Sequence, residues 1–391
     1  MKKAISLFSM LLLSVIAFGQ QALFDAATVV SPQINDDNSV TFRLNVPKAI
    51  TVTVCGDFEG GDTNAEYPMV QGADGVWTYT TEPLEPELYS YFFRVNGTRY
   101  LDPSNVYRNR DIATWTNIFI VSEEEGDKGW LYEVQDVPHG NLAKVWYDSP
   151  TLGITRRMTI YTPPGYEDSK RTRYPVLYLC HGAGGDENAW SELGRAAQII
   201  DNMIALGKAE PMIVVMPNGN VNTEAAPGEW YAGMYQPSFM GGDFGEPKAS
   251  MEESFPDIMK YVESHYRVLK GAKNTAMCGL SMGGGHTFLT TKLYPGTFGY
   301  IGLFSAATFM DLDTMHSDAE YQAQMKALFD AEPALYYIGM GKTDFLYQSC
   351  VDLRTFLDEN NYPYQYEETE GGHIWRNWRV YLTHFAEQLF K

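Results

Sequence analysis

Residues 279–283 read Gly-Leu-Ser-Met-Gly, and the segments on either side decide what that pentapeptide is. Asn274 to Cys278 before it is a short strand-like run, and Gly284-Gly285-His286-Thr287-Phe288-Leu289 after it opens a helix with a first turn small enough to pack closely on a sheet. A serine between small residues at such a strand-to-helix corner is a nucleophile elbow: the backbone turns sharply and the hydroxyl is left pointing out of the sheet. G-x-S-x-G alone recurs by chance. The strand before it, the helix after it and the partners downstream give it meaning.

An acid and then a histidine follow the serine in the chain. Ala334 to Gly341 is an apolar run short enough for a buried parallel strand, which places Asp344 in the loop at the strand's carboxyl end, where α/β sheets carry their sites. Asp311, Asp313 and Asp330 are less well placed. His373 lies in Glu-Gly-Gly-His-Ile-Trp (370–375), where two glycines make a turn between a last strand and an amphipathic final helix. His139, His265, His316 and His384 lie in loop or helical surroundings, while His181 and His286 flank the site and shape it. A serine hydroxyl is a poor nucleophile until an imidazole takes its proton. His373 is therefore the expected base and Asp344 the group that holds its tautomer.

The tetrahedral intermediate of such a reaction needs amide donors for its oxyanion. The residue after the nucleophile, Met282, supplies the first. Tyr174 to Cys180 reads as an earlier strand running into His-Gly-Ala-Gly-Gly (181–185), a loop able to turn an amide toward a ligand, and Ala183 is the expected second donor. That loop has neither the Gly-Lys-Ser/Thr ending of a P-loop nor dinucleotide-fingerprint spacing, so no cofactor is expected there.

From Val134 onward strands and helices alternate. Strands are expected at 156–162, 175–180, 212–216, 275–278, 301–304, 335–340 and 364–368, with helices at 252–266, 321–329, 350–360 and 377–390 among those between them. This is a doubly wound α/β sheet. Residues 20–122 have a different rhythm. Short alternating runs such as Thr41–Val46, Ile50–Val54, Val76–Thr80, Tyr89–Val95 and Thr116–Val121 are separated by turn residues, with Asn96-Gly97 as a two-residue hairpin signal. That is a β-sandwich pattern, joined to the second domain, 139–391, by an acidic linker over 123–138. Trp77 and Trp115 are read as its core rather than as sugar-stacking rings.

Met1-Lys2-Lys3, an apolar stretch from Ala4 to Phe18 and the small-residue pattern Ala17-Phe18-Gly19 read as a signal peptide over 1–19, which implies a secreted or periplasmic protein. Its apolar core is short for a membrane span, and no other stretch approaches that length. The chain has 391 residues, and 49 acidic against 29 basic side chains give a formal charge of −20, which excludes nucleic acid as a partner. Cys55, Cys180, Cys278 and Cys350 are too scattered for a zinc site or a disulfide framework. Cys180 and Cys278 read as small buried hydrophobes, and an isolated disulfide, to Cys350 for example, is left open.

The segments Tyr161–Tyr166, Tyr174–Tyr178, His181–Gly185, Gly279–Gly283 and Gly371–Arg379, taken in order, resemble the esterase D-like α/β-hydrolases. Within these they are most similar to carbohydrate esterase family 1, the feruloyl and acetyl xylan esterases, over about residues 139–391. The resemblance implies a Ser281–Asp344–His373 triad, an oxyanion hole of Met282 and Ala183, no metal and no cofactor. Through Val54–Phe58, Gly75–Trp77 and Leu101–Pro103, the first domain resembles the early-set immunoglobulin-like domains related to carbohydrate-binding module family 48.

The irregular stretch from Asn218 to Ala249 carries Trp230, Tyr231, Tyr235 and Phe239 and reads as a wall or lid of the pocket. Trp230 and Tyr231, with Trp190 and Trp375, are the expected substrate contacts. Trp378, at helical spacing from Trp375, is expected to pack the domain. The substrate expected from this set is a feruloyl ester on arabinoxylan, with acetyl xylan the close alternative. Siderophore-ester hydrolysis is disfavoured, since Lys248 is the one cation of that stretch. The rival from another class is a polysaccharide-binding protein that has lost its chemistry, against which the ordered Ser, Asp and His argue.

Overall fold

The computed structural model describes residues 29–58, 65–229 and 247–391. Residues 1–19, read above as a signal peptide, and the aromatic residues Trp230, Tyr231, Tyr235 and Phe239 lie outside the described residues. The chain divides into two compact units, one of Met1–Leu84 with Tyr91–Tyr107, the other of Glu85–Ser90 with Arg108–Lys391.

In the first unit, Gln33–Ile34, Val40–Asn45, Val76–Thr80 and Val70–Gln71 form one antiparallel sheet in that order. Glu66–Pro68 pairs with Val52–Gly56, which pairs with the long strand Glu87–Val95, which in turn pairs with Thr98–Tyr100. Asn96 and Gly97 take φ of 48° and 81°, the double positive φ of the hairpin turn that their sequence predicts. Phe42 of the first sheet meets Phe58 at 5.3 Å and Tyr91 of the second at 4.8 Å between ring centroids, the aromatic core of a sandwich. Trp77 belongs to that core, 8% exposed with its indole N–H on the carbonyl of Val46. Trp115 does not: it is 43% exposed, on a hairpin (Arg108–Asp111 and Thr114–Val121) that belongs to the second unit, with the Arg108 guanidinium 4.9 Å above its ring.

The second unit is built on eight strands, labelled here β1 (Asn141–Ser149), β2 (Ile154–Thr162), β3 (Val176–Cys180), β4 (Ile213–Pro217), β5 (Thr275–Leu280), β6 (Tyr300–Phe304), β7 (Leu335–Gly341) and β8 (Gln365–Thr369). Their order is β1-β2-β4-β3-β5-β6-β7-β8; β1 pairs antiparallel with β2 and β2 with β4, and every pair from β4 onward is parallel. Side chains alternate across a strand, and both faces here are covered, so the central strands are apolar throughout. Val176, Tyr178 and Cys180 of β3 enter one core with the helices Met251–His265 and Met282–Leu293. Leu177 and Leu179 enter the other with Ala196–Ala205 and Trp375–Ala386. The same division holds along β4 and β6. It is the doubly wound α/β sheet that the alternating pattern predicts, and the α/β-hydrolase sheet that the resemblance implies.

Residues 123–138 are more than a connection. Lys128–Tyr132 is a short helix capped by Asp127, and Leu131 and Tyr132 are buried in the second core. The four cysteines are free and buried, and burial pushes the thiols of Cys180 and Cys350 up to about 12.

Candidate active site

At the end of β5 the backbone of Ser281 takes φ 53° and ψ −116°, a region that costs a non-glycine residue about 1–3 kcal/mol. Three hydrogen bonds hold it there. Its amide donates to Phe304 O at 2.9 Å, and its carbonyl accepts from Ala307 at 2.9 Å and Gly285 at 3.0 Å. The turn is so tight that a Cβ on Gly283 would lie 2.4 Å from the carbonyl oxygen of Cys180. Small residues on both sides of the serine are thus a packing requirement, and Met282 begins the helix Met282–Leu293, where the first amides have no acceptor within the helix.

Asp344 and His373 lie beyond the carboxyl ends of β7 and β8, at the same edge of the parallel sheet. The imidazole Nδ1 of His373 is 2.8 and 3.0 Å from the two carboxylate oxygens of Asp344, whose side chain is buried. An ionised carboxylate only accepts, so Nδ1 carries the proton and Nε2 keeps its lone pair. The Leu346 amide donates to the same carboxylate at 2.9 Å. The two loops are tied together by the Thr343 amide on Gly371 O at 2.9 Å, and the Asn377 side chain donates to Gly372 O at 3.0 Å. The other acids have different work: Asp311 caps the helix Leu312–Ser317, and Asp330 pairs with Lys326.

The glycine-rich loop after β3 forms a turn closed by the Gly185 amide on Gly182 O at 3.1 Å, with Gly184 at φ 74° in the position where a side chain would be strained. A Cβ on Gly182 would lie 3.3 Å from Ser281 Cβ, so the loop sits directly against the elbow. Its carbonyls are held from outside. Gly182 O also accepts from His181 Nδ1 at 2.8 Å, Gly184 O from Arg110 at 3.1 Å and Gly185 O from Asn220 at 2.9 Å. Ala183 is left as the exposed residue of the turn.

His181 is fully enclosed, donating from Nδ1 to Gly182 O and accepting the Gly219 amide at Nε2, 2.8 Å away. Burial pulls its pKa from 6.5 down to about 4. Between those values the unfolded chain binds a proton that the folded one refuses, so stability falls as the pH drops from 6.5 toward 4, by about 3 kcal/mol in all. The expected result is an imidazole NMR signal from His181 that does not titrate between pH 7 and 5; a midpoint near 6.5 would contradict this arrangement.

Around these residues runs a buried ionic network that sequence reasoning missed. Glu187, with a fully buried side chain, accepts from Arg157 at 2.6 Å, Asn218 at 2.9 Å and the Ala226 amide at 3.0 Å, which fixes the chain after β4 beside the glycine turn. Its one signal is the charged run Asp186-Glu187 directly after a glycine loop that must be buried. His286, expected to flank the site, pairs with Glu252 at 2.6 Å.

Trp190 is not a substrate contact. It is 1% exposed, gives its indole N–H to Cys180 O at 2.9 Å, and packs edge-on against Trp375 at 5.2 Å. A large ring directly after a buried loop fills core before it lines a pocket. Trp375 is half-buried, and Trp378 is buried as its helical spacing predicts. Phe345, missed by the sequence reading, is 74% exposed with its ring 4.5 Å from that of His373.

A family model described as putative esterase matches residues 149–389, and one described as carbohydrate-binding module 48 (isoamylase N-terminal domain) matches residues 28–108. Over 285 residues the chain is 32% identical to the endo-1,4-beta-xylanase/feruloyl esterase of Xylanibacter ruminicola, covering 71% of this chain and 36% of that protein. The chain thus spans about a third of the length of that curated relative. The solved structure of a CE1 ferulic acid esterase from Anaeromyces mucronatus is similar at 24% identity, over 67% of this chain and 94% of that one, with a TM-score of 0.51. The enterobactin esterase of Shigella flexneri is similar at 16% identity, over 95% of this chain and 98% of that one, with a TM-score of 0.63. At those identities the two structures show a shared fold.

Proposed function

The chain belongs to the putative esterase family, and from that premise we propose that it is a secreted serine esterase releasing acyl groups from plant cell-wall polysaccharide, feruloyl groups of arabinoxylan first. The observation that carries the reading is the strained Ser281 at one sheet edge with an imidazole whose Nδ1 is tied to Asp344. Ser281 Oγ attacks the ester carbonyl carbon while His373 Nε2 takes its proton, and the carbonyl electron pair moves onto oxygen, facing the amides of Met282 and Ala183. The pair returns, the C–O bond to the sugar breaks, and the leaving oxygen takes the proton from the imidazolium. Water then repeats the sequence on the acyl-enzyme, releasing the acid and restoring Ser281. Asp344 stabilises the imidazolium and keeps its own charge throughout.

Support for an aromatic acyl group comes from Phe345, exposed beside His373, and from the half-buried Trp375 two residues beyond it. The similarity to a protein named xylanase/feruloyl esterase points the same way. Secretion rests on the leader pattern of residues 1–19, and a division into a sandwich, 20–122, and an esterase domain, 139–391, on the change of sequence rhythm. Among the described residues no helix is long and apolar enough to cross a membrane. The test is release of ferulate and of acetate from arabinoxylan by the purified protein. Ferulate is the expected product; acetate alone would convert the reading to a deacetylase, and neither product from folded protein would overturn it.

A further inference from the structure

The hairpin of Arg108–Asp111 and Thr114–Val121 lies outside every motif that suggested chemistry, and it begins at the last residue matched by the carbohydrate-binding module model, 28–108. It belongs to the same compact unit as the eight-stranded sheet. Arg110 Nη2 is ion-paired with Asp186, whose side chain is 1% exposed, while Nη1 donates to Gly184 O at 3.1 Å and to Ile112 O at 2.5 Å. Its neighbour Asp111, which the strand alternation turns to the other side, accepts from the indole N–H of Trp375 at 3.4 Å. One strand therefore reaches the glycine turn beside Ser281 with one residue and the segment that carries His373 with the next.

We infer that Arg110 is a positioning residue for ester hydrolysis: from the hairpin it fixes the glycine turn so that the Ala183 amide faces the oxyanion. The inference rests on the esterase reading. The turn at Gly182–Gly185 has φ 74° at Gly184 and two neighbouring glycines, so its own backbone leaves it many alternatives, and its amide directions are set by whatever holds its carbonyls. His181 and Asn220 hold Gly182 and Gly185 from within the domain sheet and its loops. Gly184 O, in the peptide unit whose Gly185 N–H donates to Gly182 O at 3.1 Å, is held by Arg110 alone among the described residues. Rotation of that unit breaks the Gly185–Gly182 bond and releases the unit made of Gly182 O and the Ala183 amide. The guanidinium fork suits this work because it can bind a carbonyl and a carboxylate at fixed separation, which an ammonium cannot. Arg110 touches no reacting atom.

The experiment compares wild type, Arg110→Ala and Arg110→Lys on 4-nitrophenyl acetate, a substrate too small to depend on contacts with the hairpin, and measures inhibition by phenylboronic acid, whose tetrahedral adduct on Ser281 uses the same oxyanion donors. For Arg110→Ala the expected kcat is lower by about ten- to a hundredfold, with KM changed less than about twofold and boronate affinity weakened in parallel with kcat. Arg110→Lys, which keeps the charge beside Asp186 but not the fork, falls between the two. A folded Arg110→Ala with wild-type kcat overturns the inference. So does a loss of kcat with boronate affinity unchanged, the signature of a residue that only holds the fold. If Arg110→Ala does not fold, Arg110→Lys decides: parallel losses support the assignment and wild-type values refute it. A wild type that is inactive and insensitive to boronate sinks the esterase reading itself, which a wild type that turns over with an unaffected Arg110→Ala does not.

Discussion

Ser281→Ala is expected to lower kcat on a simple aryl ester by about 10⁴-fold or more while leaving the melting temperature unchanged or raised. The loss follows from chemistry: no other oxygen nucleophile stands on the elbow, and the remaining donors can only polarise a carbonyl that water attacks slowly. The stability forecast follows from the backbone. Ser281 is held at φ 53° and ψ −116° by contacts of its amide and carbonyl with Phe304, Gly285 and Ala307, none of which uses the hydroxyl. Asp344→Asn should cost about 10³–10⁴-fold, because an amide can donate to Nδ1 and so favour the tautomer with its proton on Nε2, the wrong nitrogen for a base. Turnover by the alanine variant within tenfold of wild type would remove Ser281 from the mechanism.

Glu87→Ala is expected to destabilise the protein by about 3–5 kcal/mol, lowering its melting temperature by roughly ten degrees. Glu87 and Arg379 are both buried and meet at 3.1 Å across 292 positions of sequence, and Arg379 also donates to Leu88 O and Leu193 O. Removing the carboxylate leaves a guanidinium enclosed with no counter-charge, which costs far more than an exposed pair is worth. For the same reason residues 139–391 produced alone should not give a cooperatively melting protein. That piece lacks Glu87, the carbonyl of Leu88, Arg110 and the buried Leu131 and Tyr132. Denaturant titration of Glu87→Ala is the cleaner check, and a shift below about 1 kcal/mol would show that Arg379 finds another partner.

These two predictions differ in how much of their basis can be read from the sequence. The elbow, the acid after β7 and the histidine after β8 are legible because each is a local pattern at the end of a short apolar run. The central strands are legible for the same reason: burial on both faces leaves runs such as Val176–Cys180 and Tyr300–Phe304 almost without polar residues. Edge strand β1 is not, since Leu142 and Trp146 are 48% and 41% exposed and Asn141, Lys144 and Asp148 interrupt the run. The helix Ala196–Ala205 is also hidden: it begins at Arg195 in the left-handed region without a side-chain cap, so no start signal marks it. What supports the site is least legible. Arg110 meets Asp186 over 76 positions and Glu187 meets Arg157 over 30, and no periodicity encodes a pairing between distant single residues. Trp190 misleads because a tryptophan near a catalytic loop looks the same in sequence whether it lines a pocket or fills a core.

The assignment of Glu85–Ser90 to the second unit, while residues on both sides of it fall in the first, means that the chain passes between units three times. A gene fusion joined at one point cannot transplant either unit whole. Any ancestral exchange of the leading module had to bring those six residues with it, or retain an Arg379 suited to the newcomer. In lineages that carry both regions, Glu87 and Arg379 should therefore be inherited and lost together, although 292 of the 391 positions of the chain separate them.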